Sequence, residues 1–356
     1  MKYNFSAGPA ILPKEVFAKA AEAVSNYNNI GLSLLELSHR GPEFTAIMEE
    51  AVQLPLELLG LDDSYQCLYL TGGASSQFFM TAMNFLNKDY TGYYLDTGTW
   101  SAKAIKEAKL YGPVEVLSSS KDDGYKHIPK GFSVPQGNGF LHYTSNNTIF
   151  GTQYHFTPKH EGKDLICDMS SDIFSRPLEH KDYGIIYAGA QKNLGPAGTT
   201  LVIIKKALLE KVNDGLTSML NYNTHVSKNS SFNTPPVFPI YVSLLTLKWI
   251  KEQGGLSIME QRNSEKAKTL YSEIDRNSLF TGYANEADRS IMNATFNLKD
   301  NALESSFMKT CTDAGIVGIK GHRSVGGFRA SIYNAMNIEG INKLVEVMQE
   351  FENNNK

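Results

Sequence analysis

The chain has 356 residues, 42% of them hydrophobic and 20% charged, with a formal net charge of −3. That length allows one large and one smaller domain with packed cores. The slight acidity excludes a general nucleic-acid or acidic-membrane surface, which needs a basic face, and the scattered Cys67, Cys167 and Cys311 give neither a disulfide framework nor a zinc spacing.

The stretch MKYNFSAGPAILPKEV lacks a long apolar core and the run YVSLLTL is cut by Lys248. Neither a signal peptide nor a membrane span is predicted, and a reducing cytoplasm is the expected compartment. After Pro13, residues Val16, Phe17, Ala20, Ala21 and Val24 recur at helical spacing, and proline is tolerated at a helix start. Short apolar strands follow (YQCLYL, GYYLD, VEVL, GFLHYT, LICDM, GIIYA and LVII), alternating with helical stretches such as SSQFFMTAMNFL and SAKAIKEAKLY. Alternation of this kind predicts an α/β fold with a mainly parallel sheet. Beyond about Val237 the pattern changes. FPIYVSLLTLKWIKEQ and LSIMEQRNSEKAKTLYSEI read as two helices separated by Gly254 and Gly255. MNATFNL, ALESSFMKTCTDAG, IVGIKGH, GFRASIYN and IEGINKLVEVMQEFE then describe a small α+β unit. The predicted organisation is a large α/β domain over 15–255 and a small C-terminal domain over 256–356.

Ligands of open α/β sheets collect at the carboxyl ends of strands, and three predicted strand ends carry unusual residues. In LTGGASSQF, a strand, two glycines and a helix start would aim the backbone N–H groups of Ala74 and Ser75 at an anion such as phosphate. The Lys-Ser/Thr pair of a nucleotide P-loop is missing. In LICDMSSD, Asp168 ends an apolar strand, and in GAQKNLGPAGTT, Lys192 occupies a glycine-rich turn between two apolar runs. Each has a plain reading when taken alone: a turn for the glycines, a helix cap for Asp168, a solvated charge for Lys192. Together they form the set that pyridoxal phosphate needs, with an amine for the Schiff base, an acid for the pyridinium nitrogen and amides for the phosphate. Trp100, in a loop just before a helix, would supply an aromatic face over the ring, with core packing as the competing explanation.

Seven ordered stretches, NFSAGPAILP, ELSHRGPEF, GGASSQF, NNTIFGTQ, GAQKNLGPAG, FNTPPVF and GHRSVGGFRAS, resemble those of the phosphoserine aminotransferases. These are fold-type I pyridoxal-phosphate enzymes of the class V aminotransferase group, and the likeness spans nearly the whole chain. The resemblance implies a seven-stranded sheet in the large domain, with the segment 1–14 packed near the active site. It makes Lys192 the Schiff-base lysine and Asp168 the acid paired with the ring nitrogen. Gln191 matches a phosphate ligand, Ala74 and Ser75 supply amides to the phosphate, and Trp100 stacks on the ring. Thr148 hydrogen-bonds near the ring's oxygen substituent, the nearby Thr152 not being the matching threonine. Asn233 and Thr234 match residues that reach the phosphate from a second subunit, which implies a homodimer with shared active sites.

SHRG and GHRSVGGFR concentrate His39, Arg40, His322, Arg323 and Arg329 in a chain that is acidic overall. Any one of them reads as a surface charge. Two His-Arg pairs beside glycines suit anionic ligands, because arginine pairs bidentately with carboxylate or phosphate and protonated histidine adds charge. The resemblance implies that Arg329 holds the substrate α-carboxylate. His322 and Arg323, with His39 and Arg40 from the second subunit, would receive either a phosphate or the distal carboxylate of glutamate. The implied reaction is reversible transamination between L-glutamate and 3-phosphohydroxypyruvate in serine biosynthesis, without a metal, and 4-phosphohydroxythreonine of the pyridoxine pathway is a further candidate substrate. The chain departs from many relatives at Ser75, where they carry arginine, and at Ala7, where they carry serine. Rival readings are a cysteine desulfurase, for which Cys311 is poorly placed, an alanine–glyoxylate type enzyme, which needs no doubled His-Arg site, and a non-catalytic binding module.

Overall fold

The computed structural model describes residues 2–355. A short strand β1 (Tyr3–Asn4) precedes α1 (Lys14–Asn26) and α2 (Pro42–Leu59). Next come β2 (Tyr65–Leu70), α3 (Gly73–Phe85), β3 (Thr91–Asp96), α4 (Thr99–Ala108), β4 (Val114–Ser119), β5 (Gly139–Thr144), β6 (Asp164–Asp168), β7 (Ile185–Gly189) and β8 (Thr200–Lys205). The chain continues through α5 (Tyr222–Ser227), α6 (Val237–Glu252) and α7 (Gly255–Arg276). It ends with β9 (Phe280–Gly282), β10 (Asn293–Leu298), α8 (Glu304–Asp313), β11 (Ile316–Val317), β12 (Phe328–Ser331) and α9 (Ile338–Asn354).

All seven predicted strands meet in one sheet of order β2-β8-β7-β6-β5-β3-β4. β4, β3, β5, β6 and β7 run parallel, while β8 is antiparallel to both of its neighbours, β7 and β2. The unbroken apolar runs follow from burial on both faces. On β2, Cys67 and Tyr69 enter one core while Leu68 and Leu70 enter the other, and on β8 Leu201 and Ile203 alternate likewise with Val202 and Ile204. Each such side chain stabilises the fold by about 1.5–3 kcal/mol. Reversal of β8 has a positional consequence. The β7–β8 connection needs no crossover helix, so residues 190–199 stay at the carboxyl edge of the sheet, where β3, β5 and β6 also end.

A second core gathers Phe5 with apolar residues from Ala267 to Phe351 around the antiparallel sheet β12-β10-β9. α7 spans the junction: Leu256 and Met259 belong to the first core, Ala267, Leu270 and Ile274 to the second. β1 pairs in parallel with β11, anchoring the N-terminus on this C-terminal unit. The following segment then runs to the sheet edge, where Ala10 N–H donates to the Gln191 carbonyl at 3.0 Å.

β1, β9, α2 and the six-residue α5 lie outside the predicted elements. A strand of two or three residues carries no periodicity to read. α2 was legible, with Phe44, Ile47, Met48, Ala51 and Leu54 on its buried side, Pro42 at its start and Gly60 in a left-handed C-cap, although Pro55 interrupts its interior. Among the described residues, no helix is long and apolar enough to cross a membrane, and no His/Cys/Asp/Glu group could hold a metal ion.

Candidate active site

Lys192 is presented by a single tight turn in which the N–H groups of Leu194 and Gly195 both return to the Ala190 carbonyl, at 3.3 and 2.8 Å. Its side chain points inward and is 9% exposed. Nζ donates to Thr148 Oγ1 at 2.7 Å and sits 5.3 Å from the centre of the Trp100 ring. Burial lowers the lysine pKa from 10.5 to about 8; the Asp168 carboxylate opposes that shift and Arg329 adds to it. Thr148 caps a loop that closes on itself, Gly151 N–H donating to Asn147 O and Asn147 N–H to Thr152 O, both at 2.8 Å. Thr152 is committed within that loop, accepting from Asn147 Nδ2.

Asp168 ends β6 with 3% exposure, and its Oδ1 accepts from both the backbone N–H (2.9 Å) and the hydroxyl (2.6 Å) of Ser170. The Ser170 hydroxyl in turn accepts from Gly189 N–H, tying the ends of β6 and β7 together. Burial pushes the Asp168 carboxyl above its ordinary range, against the pull of Lys192 and Ser170. A second buried carboxylate, Asp172, accepts from Ser145 Oγ and Gln153 Nε2 and lies within electrostatic reach of Lys192.

Ala74 and Ser75 are the second and third residues of α3. The first helical bond is made by Ser76 N–H to Gly72 O, which leaves the N–H groups of Gly73, Ala74 and Ser75 without an intrahelical partner. Gly72 makes this entry possible: its φ of 95° is left-handed, and a Cβ there would stand 1.8 Å from Ser76 Oγ. Gln191 is half-buried beside Lys192, and its amide oxygen would lie 2.7 Å from a Cβ at Gly189. Trp100 falls inside the first turn of α4, not in the loop ahead of it; its indole N–H is buried without a partner, and Lys103 Nζ lies 4.6 Å over the same ring.

Arg329, on β12, donates from Nη1 to the Thr148 carbonyl at a long 3.4 Å, and its Nε is buried without a partner. Burial lowers its pKa. His322 is held below its ordinary pKa by burial and by Arg329, Arg323 and Lys103, so each of these cations lies within electrostatic reach of His322. Among the described residues, no carboxylate makes an ion pair with Lys192, Arg323 or Arg329. The second core thus delivers a cationic group to the lysine of the first.

Among the described residues, the remaining predicted residues make no hydrogen bond to Lys192 or Asp168 within one chain, although Asn233 lies beside the start of α3. His39 and Arg40 sit in the turn before α2, where Arg40 N–H donates to Ser38 Oγ. Asn233 lines a cavity of about 120 Å³ with Gly72, Ser76 and Met219, and Thr234 is exposed next to it. Sequence reading passed over Ser170, Asp172 and Lys103. Ser170 had a local signal, since an aspartate commonly bonds the backbone two residues on. Lys103 and Asp172 are recognisable only once α4 and the turn after β6 are folded.

The sequence profile described as aminotransferase class-V matches residues 2–344. The chain is 55% identical over 353 residues to the phosphoserine aminotransferase of Flavobacterium psychrophilum and 54% identical over 353 residues to that of Parabacteroides distasonis, covering 99% of both chains in each comparison. Among solved structures it resembles the phosphoserine aminotransferase of Bacillus circulans subsp. alkalophilus, with a TM-score of 0.97, 45% identity and coverage of 100% of this chain and 99% of that one. It also resembles the phosphoserine aminotransferase of Trichomonas vaginalis, solved with pyridoxal phosphate bound, with a TM-score of 0.93, 37% identity and coverage of 98% and 100%. A buried lysine and aspartate at neighbouring strand ends, an open helix N-terminus and full-length likeness all agree, and the chain belongs to the aminotransferase class-V family, among its phosphoserine aminotransferases.

Proposed function

We propose that the protein is a pyridoxal-phosphate-dependent phosphoserine aminotransferase, moving an amino group reversibly between L-glutamate and 3-phosphohydroxypyruvate to give 2-oxoglutarate and O-phospho-L-serine. The observation that carries this reading is Lys192: a buried amine with no ion-pair partner among the described residues, holding its proton less tightly than an ordinary lysine. Relatives above 50% identity over 99% of the chain bear the name of this activity.

The residues present fit the cofactor. Lys192 offers the amine, Asp168 an anchored carboxyl, Trp100 an aromatic face with an unpartnered N–H, and the first turn of α3 three open amides for a phosphate. Gln191 would add a side-chain contact to that phosphate. The departure at Ser75 leaves these groups in place, because the α3 contact is a backbone N–H, whereas the departure at Ala7 bears on the contact of the N-terminal loop with substrate. When bound, pyridoxal phosphate supplies an aldehyde for the covalent link and a ring that accepts the electron pair released at the substrate α-carbon.

Lys192 serves twice. Its amine would hold the cofactor covalently and, when free, would carry the proton to and from the substrate α-carbon. Asp168 holds a proton at the ring nitrogen, and Ser170 keeps that carboxyl oriented. Thr148, already bonded to Lys192, orients the amine and the ring's oxygen substituent. Arg329 takes the α-carboxylate common to both amino acids, and His322 and Arg323 take the distal anion, phosphate or carboxylate. Orientation is the main contribution of the protein.

A homodimer would complete the site by bringing His39 and Arg40, and Asn233 and Thr234, from the second subunit. Exposed apolar residues adjoin both segments: Ile30, Leu32 and Leu35 precede His39, while Met219 and Phe232 flank Asn233. The same reading takes 15–255 and 256–356 as the domains, with 1–14 packed near the site, and a cytoplasmic setting that agrees with three buried free thiols. Two measurements test the function. Adding glutamate to the cofactor-loaded protein should convert its absorption to that of the aminated form, and phosphoserine with 2-oxoglutarate should then give glutamate. A protein without spectral change, or one indifferent to phosphoserine, refutes it.

A further inference from the structure

The segment from Ile332 to Asn334 leaves β12 just after Arg329 and touches both loops that present Lys192 and Asp168. Asn334 N–H donates to the side-chain oxygen of Asn193, next to Lys192, at 2.9 Å. Asn334 Nδ2 donates to the Phe174 carbonyl at 2.8 Å, and Asn193 Nδ2 to the Ile173 carbonyl at 2.6 Å, both in the turn that follows Asp168. From behind, Asn263 of α7 bridges the Ser175 carbonyl (3.0 Å) and Asn334 Oδ1 (2.8 Å). One turn further, Lys266 donates to the carbonyls of Ile332 and Tyr333 at 2.9 and 2.7 Å.

Two observations set this network apart from ordinary packing. Asn193, Asn263 and Asn334 are 4%, 0% and 8% exposed, so their amide bonds are made out of reach of solvent and losing one partner leaves another unsatisfied. Phe174, 1% exposed, has φ of 59°, a left-handed backbone unusual for an aromatic residue, and its carbonyl is the one Asn334 holds.

We propose that Asn193 and Asn334 are a pair of positioning residues for transamination, fixing the Arg329 guanidinium relative to Lys192 and Asp168 and so setting where the α-carboxylate is held. The inference rests on the roles given above to Arg329 and Lys192. Neither asparagine touches substrate; the pair acts through the two loops and β12.

The test uses the cofactor-loaded Asn193→Ala, Asn334→Ala and doubly substituted proteins. KM for glutamate and for phosphoserine should rise together about tenfold in each single variant, with a smaller change in kcat, because both substrates share the α-carboxylate. The double variant should be little worse than the worse single one, as expected for residues acting as one unit. The pH titration of the bound cofactor's absorption should shift as well, since Lys192 moves with Asn193. A lowered melting temperature with unchanged KM and unchanged titration overturns the proposal. Should Asn334→Ala fail to fold, Asn334→Ser gives the same readouts. If the wild-type protein itself shows no spectral response to glutamate, the functional reading has failed and hydrogen exchange on cofactor-free protein decides the remaining claim. Faster exchange of amides 173–175 and 193–195 together in Asn334→Ala supports the tie, and unchanged exchange there removes it.

Discussion

Lys192 carries the proposed chemistry, and its environment makes a numerical prediction. Burial lowers its pKa to about 8, so in the cofactor-free protein the free amine appears as pH rises through that value. Modification of Lys192 by an amine-directed reagent, followed by peptide mapping, should therefore titrate with a midpoint near 8; a midpoint near 10.5, the ordinary lysine value, would show the site to be wet. Lys192→Ala should lower turnover by about 10⁴-fold or more while still admitting the cofactor non-covalently, as loss of both nucleophile and proton carrier requires. Asp168→Asn should impair turnover more than folding, and normal turnover with an unshifted spectrum would remove its assigned role. His322 gives a test of opposite sign. Its pKa is depressed by burial and by Arg329, Arg323 and Lys103, so a phosphate bound among these cations should raise it. Phosphate binding then takes up a proton, and affinity falls as pH rises through the bound-state pKa. Nuclear magnetic resonance titration of the histidine with and without phosphate measures this directly.

The start of α3 is the element proposed to hold the cofactor phosphate. Three amides are open there because Gly72 turns the chain at a φ of 95° and the first helical bond waits until Ser76. Gly72→Ala would strain that turn by about 1–3 kcal/mol and force Ser76 Oγ aside. Cofactor affinity should weaken roughly tenfold or more, at 1.4 kcal/mol per decade, while the sheet stays intact. Equilibrium dialysis measures the affinity and far-ultraviolet circular dichroism the sheet. Unchanged affinity would mean that the helix start does not hold the phosphate. The β7–β8 connection makes the complementary point. Because β8 reverses, the lysine turn remains on the edge where β6 delivers Asp168, and Ser170 joins the two ends through Gly189.

At the scale of the molecule, Arg329 comes from the second core and Lys192 from the first, so the site exists only where the two meet. Arg329→Ala should weaken both glutamate and phosphoserine; an effect on phosphoserine alone would mean the two anion sites are reversed. The proposed homodimer adds a further expectation. Mixed and refolded together, Lys192→Ala and Arg40→Ala chains should regain about a quarter of wild-type activity, because half of the random dimers are mixed and each mixed dimer has one intact site. No recovery, with mixed dimers verified by mass, would place Arg40 outside the second subunit's site.

The amino-acid sequence by itself determined the α/β class, the seven strands and the break between the helices α6 and α7 at Gly254, because strands buried on both faces must be apolar along their length and helices must repeat their apolar positions. It also marked Lys192, Asp168 and the glycines before α3, since polar residues and turns at the ends of apolar runs are local features. Tertiary structure alone decided that β8 runs backwards, that β1 closes onto β11, and that Thr148 and Arg329, 181 residues apart, meet at Lys192. The asparagine network through Asn193, Asn263 and Asn334 belongs to the same class: an amide side chain has no periodic signature, and most of its partners are backbone groups that nearly every residue possesses. Local pattern records what a segment must bury, whereas the meeting of distant segments depends on packing that no single segment contains.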